Sequence, residues 1–156
     1  MKRSLLILMF LGVLSIHSNA QEQGDSRIHA LGTYNLRFGE FGAGAGAEFF
    51  FMDKFAVMPS FVKYFPRVGN TSNFSFDLRY YVTEGPSQLY FMAGYSQTFQ
   101  NNQPGQPGTR QNYVGANVGV GAYIILTEWV GLSTEFRFQS QFRQESGFRV
   151  GFAFPL

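Results

Sequence analysis

The chain has no cysteine among its 156 residues. That excludes disulfides, thiolate metal sites and a lipid-modified cysteine anchor. Histidine is almost as scarce: beyond the first twenty residues only His29 remains, too few ligands for a metal centre. Charged residues make up 14% of the chain and mean hydropathy is −0.08, which excludes a bundle of membrane-spanning helices. No apolar run reaches the roughly 20 residues that a spanning helix needs. No basic stripe interleaved with aromatics occurs, so nucleic acid is not a partner.

The longest apolar run is residues 5–16, and its context is that of a processing signal. Lys2 and Arg3 precede it, and Ser18-Asn19-Ala20 follows with small residues at −3 and −1 of a cleavage point before Gln21. The expected organisation is an export signal over residues 1–20 and one domain over residues 21–156. Cleavage removes Lys2 and Arg3 and leaves ten basic against ten acidic residues. The pI of 9.0 therefore carries no sign of an anionic partner.

What the chain has in quantity is aromatic residues (19 Phe and 8 Tyr) and glycine (18 residues), arranged with a period of two. Residues 129–156 show it best. Val130, Leu132, Thr134, Phe136 and Phe138 alternate with Gly131, Ser133, Glu135, Arg137 and Gln139. After a polar turn, Phe148, Val150, Phe152 and Phe154 alternate with Arg149, Gly151 and Ala153. Successive side chains on a strand point to opposite faces, so one face here is apolar and the other charged or small.

The same pattern divides the chain into eight stretches: 27–38, 41–51, 55–65, 73–82, 89–99, 113–123, 130–142 and 148–156. The turns at 53–54, 84–87 and 127–128 are short. The intervening connections at 39–40, 66–72, 100–112 and 144–146 include the two longest, and residues 100–112 lack apolar side chains. An even strand count with short turns at one end and longer loops at the other is expected of an outer-membrane barrel. Strands of about 11 residues, tilted near 40°, cover roughly 27 Å, the depth of the hydrocarbon band. Aromatics at the strand ends read as interface girdles: Phe50, Phe51, Phe55, Tyr80, Tyr81, Tyr90, Phe91 and Trp129 at one end, Phe65, Phe99, Tyr113 and Phe142 at the other. The facing of 55–65 is ambiguous. Keeping Lys63 out of lipid favours Val57, Pro59, Phe61 and Lys63 pointing inward.

A soluble barrel of the lipocalin kind also alternates, with its apolar side chains inward around a ligand. Glycine at nearly every polar-face position of 41–51 and 113–123 favours a narrow filled lumen over a solvated exterior. The low charge density points the same way. The reading is an all-β, eight-stranded antiparallel up-and-down transmembrane β-barrel.

Eight amphipathic strands, a cleavable signal, glycine-rich segments such as FGAGAGAEFFF and NVGVGAYIILTEWVGLSTEFRF, and the terminal FRVGFAFPL together resemble the small outer-membrane barrels of the OmpA/OmpX type, with the flavour of stand-alone barrels of Bacteroidota. The resemblance covers essentially the whole mature chain. It implies a bacterial outer-membrane location and outer-membrane lipid as surroundings. It also implies recognition of the last strand by the barrel assembly machinery, although Leu156 stands where that signal has a terminal aromatic.

The charges of the polar face form the candidate site: Glu48, Asp77, Arg79, Glu135, Arg137 and Arg149, with Arg37 nearby. An eight-stranded barrel encloses a space just wide enough to be filled by side chains, and charges buried there must pair. A polar plug of Arg–carboxylate pairs is expected, with a gated narrow pore as the alternative. No nucleophile, base and orienting group assemble; Ser26 and His29 fall on opposite faces. No enzyme and no cofactor are expected. The external loop carrying Gln100, Asn101, Asn102, Gln103, Arg110 and Gln111 is the candidate surface for a ligand or host-cell partner. The expected role is structural or interactive, played by a monomer. A narrow channel and a soluble carrier of an apolar ligand are the alternatives.

Overall fold

The computed structural model describes residues 23–103, 105, 110–141 and 145–156. The expected signal segment 1–20 lies outside them, as does Phe142. Eight strands follow one another: β1 (Ser26–Asn35), β2 (Glu40–Met52), β3 (Phe55–Tyr64), β4 (Asn70–Tyr81), β5 (Ser87–Asn101), β6 (Arg110–Thr127), β7 (Val130–Gln139) and β8 (Glu145–Pro155). Each pairs antiparallel with the next, and β8 returns to β1 through Arg27↔Pro155 to Asn35↔Gly147, so the sheet is a closed barrel with no free edge. The described residues contain no helix.

Period-two patterning produces this wall directly. Ile28, Phe76, Val118, Phe136 and Phe152 point outward and are 42–52% exposed, while Arg27, Glu48, Asp77, Arg79 and Arg149 point inward and are at most 1% exposed. The inside of the barrel is polar and the outside apolar, the reverse of a lipocalin-like carrier, whose lumen must be apolar to hold its ligand. The outward apolar band is continuous around all eight strands, far larger than the few hundred Å² that soluble monomers expose.

The start of β1 and the end of β8 meet at one rim, where the Leu156 N–H donates to the Ser26 carbonyl at 3.0 Å. The short turns after β2, β4 and β6 lie at this terminal rim, and the other connections lie at the opposite, loop rim. Lys54 turns the chain between β2 and β3 with φ of 67°.

The structure corrects several expectations. On β3 the inward residues are Ala56, Met58, Ser60, Val62 and Tyr64, and Lys63 faces out. Ladder partners share a face, and Arg79↔Ala56, Asp77↔Met58 and Ser75↔Ser60 tie the parity of β3 to the charged face of β4. Lys63 is tolerated outside because it lies one residue from the strand end, where its stem reaches the interface. Pro59 interrupts the β2 ladder, which runs to Gly46↔Ser60 and resumes at Phe49↔Val57, as a residue without an N–H must.

Of the proposed girdle, Phe50, Tyr81 and Tyr90 point inward and are 0–2% exposed, so they belong to the lumen. The expected loop 100–112 is shorter, because Gln100↔Gln111 and Asn101↔Arg110 continue the β5–β6 ladder. Backbone pairing does not require apolar side chains, so polarity alone marked these residues wrongly as loop.

Two inward glycines create the space for the lumen aromatics. A Cβ on Gly121 would collide with the Tyr90 ring, and one on Gly131 with the Tyr123 ring. Each glycine lets a tyrosine from a neighbouring strand lie flat against the wall.

Candidate functional site: the filled lumen

The lumen is organised in three tiers. Nearest the terminal rim, Phe50, Tyr81, Tyr90 and Tyr123 form a buried aromatic cluster with Ala56 and Ala153. Phe50–Tyr81 and Tyr81–Tyr90 ring centroids are 5.2 and 5.0 Å apart. The Arg27 guanidinium lies among these rings, 4.1 Å from the Tyr123 centroid and 4.8 Å from that of Phe50. It also donates to Tyr81 Oη and Gln88 Oε1, each at 3.3 Å. Stacking on aromatic faces together with hydrogen bonds suits arginine where lysine would not fit.

The middle tier carries the charges. Arg79 on β4 binds Glu48 Oε1 on β2 at 3.0 Å, and its other terminal nitrogen pairs with Glu135 Oε1 on β7. Glu48 also accepts from Tyr81 Oη at 2.7 Å, lies 3.1 Å from His29 Nε2 and faces Arg27 at 3.5 Å. Glu135 accepts from Tyr90 Oη at 3.0 Å and from Arg137 at 2.9 Å, with Arg149 at 4.0 Å. Arg137 pairs in turn with Asp77 at 2.9 Å, whose second oxygen accepts from Asn117 at 2.8 Å. Every carboxylate oxygen of Glu48, Asp77 and Glu135 thus meets a donor, and the cost of burying a charge unpaired is avoided.

Nearest the loop rim the side chains are amides and hydroxyls. Asn73 donates to Thr98 at 2.8 Å, Thr98 to Gln141 at 2.7 Å, and Gln141 to Ser96 at 2.7 Å. Above them a polar vestibule of about 200 Å³ opens between Asn35, Glu40, Tyr64, Thr71, Gln100 and Glu145.

The structure brings six of the seven sequence-designated charges, Glu48, Asp77, Arg79, Glu135, Arg137 and Arg149, into one enclosure. Arg37 is not among them. Asn35 ends β1 by accepting the backbone N–H groups of Arg37 and Phe38 on its Oδ1 at 3.0 and 3.2 Å. Beyond this Asx turn strand parity no longer governs, and Arg37 is exposed beside the Phe38 ring. Of the proposed external surface, Gln100, Asn101, Arg110 and Gln111 lie on strands, and Asn102 and Gln103 in the connection beyond β5.

Arg27, His29, Tyr81, Tyr90 and Asn117 were missed. Arg27 and His29 share the odd parity of β1, which is a signal the sequence held. Tyr81 and Tyr90 likewise share the inward parity of Arg79 and Met92, although their place near strand ends also suits an interface girdle. Among the described residues no three His, Cys, Asp or Glu side chains converge as metal ligands.

No protein-family model matches the chain, and no curated protein matches its sequence. Solved structures do match in fold. The N-terminal β-barrel domain of Pseudomonas aeruginosa OprF is similar with TM-score 0.76 and 22% identity, over 87% of this chain and 100% of that one. Neisserial surface protein A (NspA) is similar with TM-score 0.59 and 16% identity, over 83% and 94%. Ail of Yersinia pestis, the attachment invasion locus protein in complex with the heparin analogue sucrose octasulfate, gives 0.61 and 12%, over 86% and 99%. At these identities the likeness is one of fold: this chain is built as a small closed eight-stranded barrel of the kind those proteins share.

Proposed function

We propose that the chain is an integral protein of the bacterial outer membrane, exported by its N-terminal signal. In this reading the barrel is an occluded, non-catalytic scaffold that acts at the cell surface, in envelope integrity, adhesion or recognition. The observation that carries this is the charge network crossing the bore. Arg79, Glu48, Glu135 and Arg137 are at most 3% exposed and hold one another from β2, β4 and β7, leaving the path to the loop rim filled. The continuous apolar exterior supports lipid as its surroundings. The ladder extension at β5–β6 presents Asn101 and Arg110 at the loop rim, where a ligand or host-cell partner would meet them. The barrel assembly machinery would read β8, and a closed sheet favours a monomer.

A narrow channel is the second reading, and one observation favours it. Glu135 is shared by Arg79, Arg137 and Arg149, so partners are at hand for an exchange that would open the bore.

Planar-bilayer recording of the refolded full chain separates the two. Silence, retained in Glu135→Ala and Arg137→Ala, fits the occluded scaffold; steady conductance altered by either substitution fits the channel. A chain that folds in plain buffer, and whose migration in SDS is the same before and after boiling, would refute membrane insertion itself.

A further inference from the structure

Charge is sorted at the two rims of the barrel in opposite ways. At the terminal rim Asp53, Glu84 and Glu128 accompany a single lysine, Lys54, which is ion-paired with Glu84 at 2.7 Å. At the loop rim the strand parities send acids and bases to opposite sides of the wall. Glu40 and Glu145 line the vestibule, whereas Lys63 and Arg110 point outward and are exposed.

Lys63 and Arg110 lie over one external groove of about 530 Å³. Its wall is β3 to β6, in register through Lys63↔Ser72, Ser72↔Phe99 and Phe99↔Asn112. The small Ser72 forms its floor. Phe99 lies in this row and Phe61 two residues along β3 toward the apolar band, 43% and 51% exposed. Neither cation has an ion-pair partner among the described residues, although every buried arginine of the charge network does. A groove that sets exposed phenyl rings beside two cations with no ion-pair partner among the described residues has the polarity of a bound anionic lipid.

We propose that this groove seats the phosphate-bearing headgroup of a lipid in the leaflet at the loop rim. Lys63 and Arg110 hold phosphate oxygens, Ser72 and Asn112 supply hydrogen bonds, and the first acyl segments lie on Phe61 and Phe99. Arginine meets phosphate with its planar fork and lysine as a point charge. The acidic groups of the same rim face the vestibule, so they do not repel the headgroup. This rests on the membrane reading above, and the experiment keeps the two apart.

The full chain, refolded in a phosphate-free maltoside detergent, is mixed with diphosphoryl lipid A or its dephosphorylated form and measured by native mass spectrometry. Folding is scored separately by the heat-dependent shift in SDS. We expect one diphosphoryl lipid retained by the wild type and roughly 10-fold weaker retention by K63Q/R110Q. K54Q at the opposite rim should bind as the wild type does, and the dephosphorylated lipid should not discriminate among the variants. If K63Q/R110Q does not fold, R110Q alone is read in the same way. Equal retention by folded wild type and variant overturns the proposal. Displacement by millimolar inorganic phosphate overturns the lipid as occupant. A wild type with no heat shift overturns the membrane reading, and the lipid site falls with it.

Discussion

Arg79 on β4 meets Glu135 on β7, three strands further around the wall, so their ion pair crosses the bore instead of lining it. The other half of the same guanidinium holds Glu48 on β2. One residue thereby ties three strands that are not neighbours, and the barrel is braced from within.

Replacing Arg79 leaves two buried carboxylates short of a partner each. Arg79→Met should destabilise the barrel by about 3–5 kcal/mol, because removing one member of a buried pair strands the charge of the other. Urea unfolding in lipid vesicles measures this, and a loss below about 1 kcal/mol would show that the network is not structural.

Gly121 and Tyr90 make a second, purely steric pair. Gly121→Ala should weaken the barrel, because its new methyl group occupies the place of the Tyr90 phenol. In a Tyr90→Ala background the same change should cost less, the remaining cost coming from the Thr134 carbonyl oxygen that the new Cβ would still approach at 2.7 Å. A double-mutant cycle should give a coupling of about 1–3 kcal/mol; additive effects would contradict the contact.

The outward face tests the surroundings of the protein. Val118 is 52% exposed on β6 in the middle of the apolar band. Val118→Arg should cost about 2–4 kcal/mol in a bilayer, whereas on a solvated surface it would change stability by no more than about 0.5 kcal/mol. The unfolding midpoint in vesicles decides between them.

The terminal rim carries a titration of defined sign. Hydrogen bonding to Lys54 holds the Glu84 carboxyl below its ordinary value, and the same bond raises Lys54 above its own. The Glu84 contribution is present above the ordinary carboxylate range and fades as pH falls through the depressed value. The Lys54 contribution is present below the ordinary lysine range and fades as pH rises through the raised one. The pair therefore acts evenly across neutral pH. Carboxyl NMR titration should show Glu84 returning upward in Lys54→Gln; an unchanged midpoint would rule out the contact in solution.

Arg27 should be worth less than Arg79. Arg27→Met removes a cation from three rings but leaves Glu48 with Arg79, Tyr81 and His29. A loss of about 1–2 kcal/mol is expected, read from the same urea transitions.

The sequence by itself determined the period, and with it the strand number, the antiparallel order and the identity of most inward charges. Glu48, Asp77, Arg79, Glu135, Arg137 and Arg149 each lie within an uninterrupted alternation, where a one-residue slip would send a charge into the apolar face. Where alternation lapsed, parity was lost. Lys63 and the apolar Val57 and Phe61 share one parity of β3 and gave it conflicting signs until the β4 ladder fixed them, and the Asx turn at Asn35 carried Arg37 out of the lumen. Tyr81 and Tyr90 keep the inward parity of Arg79 and Met92, but the room for the Tyr90 ring depends on Gly121 of the next strand, which no local pattern reports. The meeting of Arg79 with Glu135, 56 residues apart in sequence, depended on barrel closure. Period two is a property of one strand and is legible along it; which side chains meet across a bore is a property of the closed wall, and exists only when all eight strands are in register.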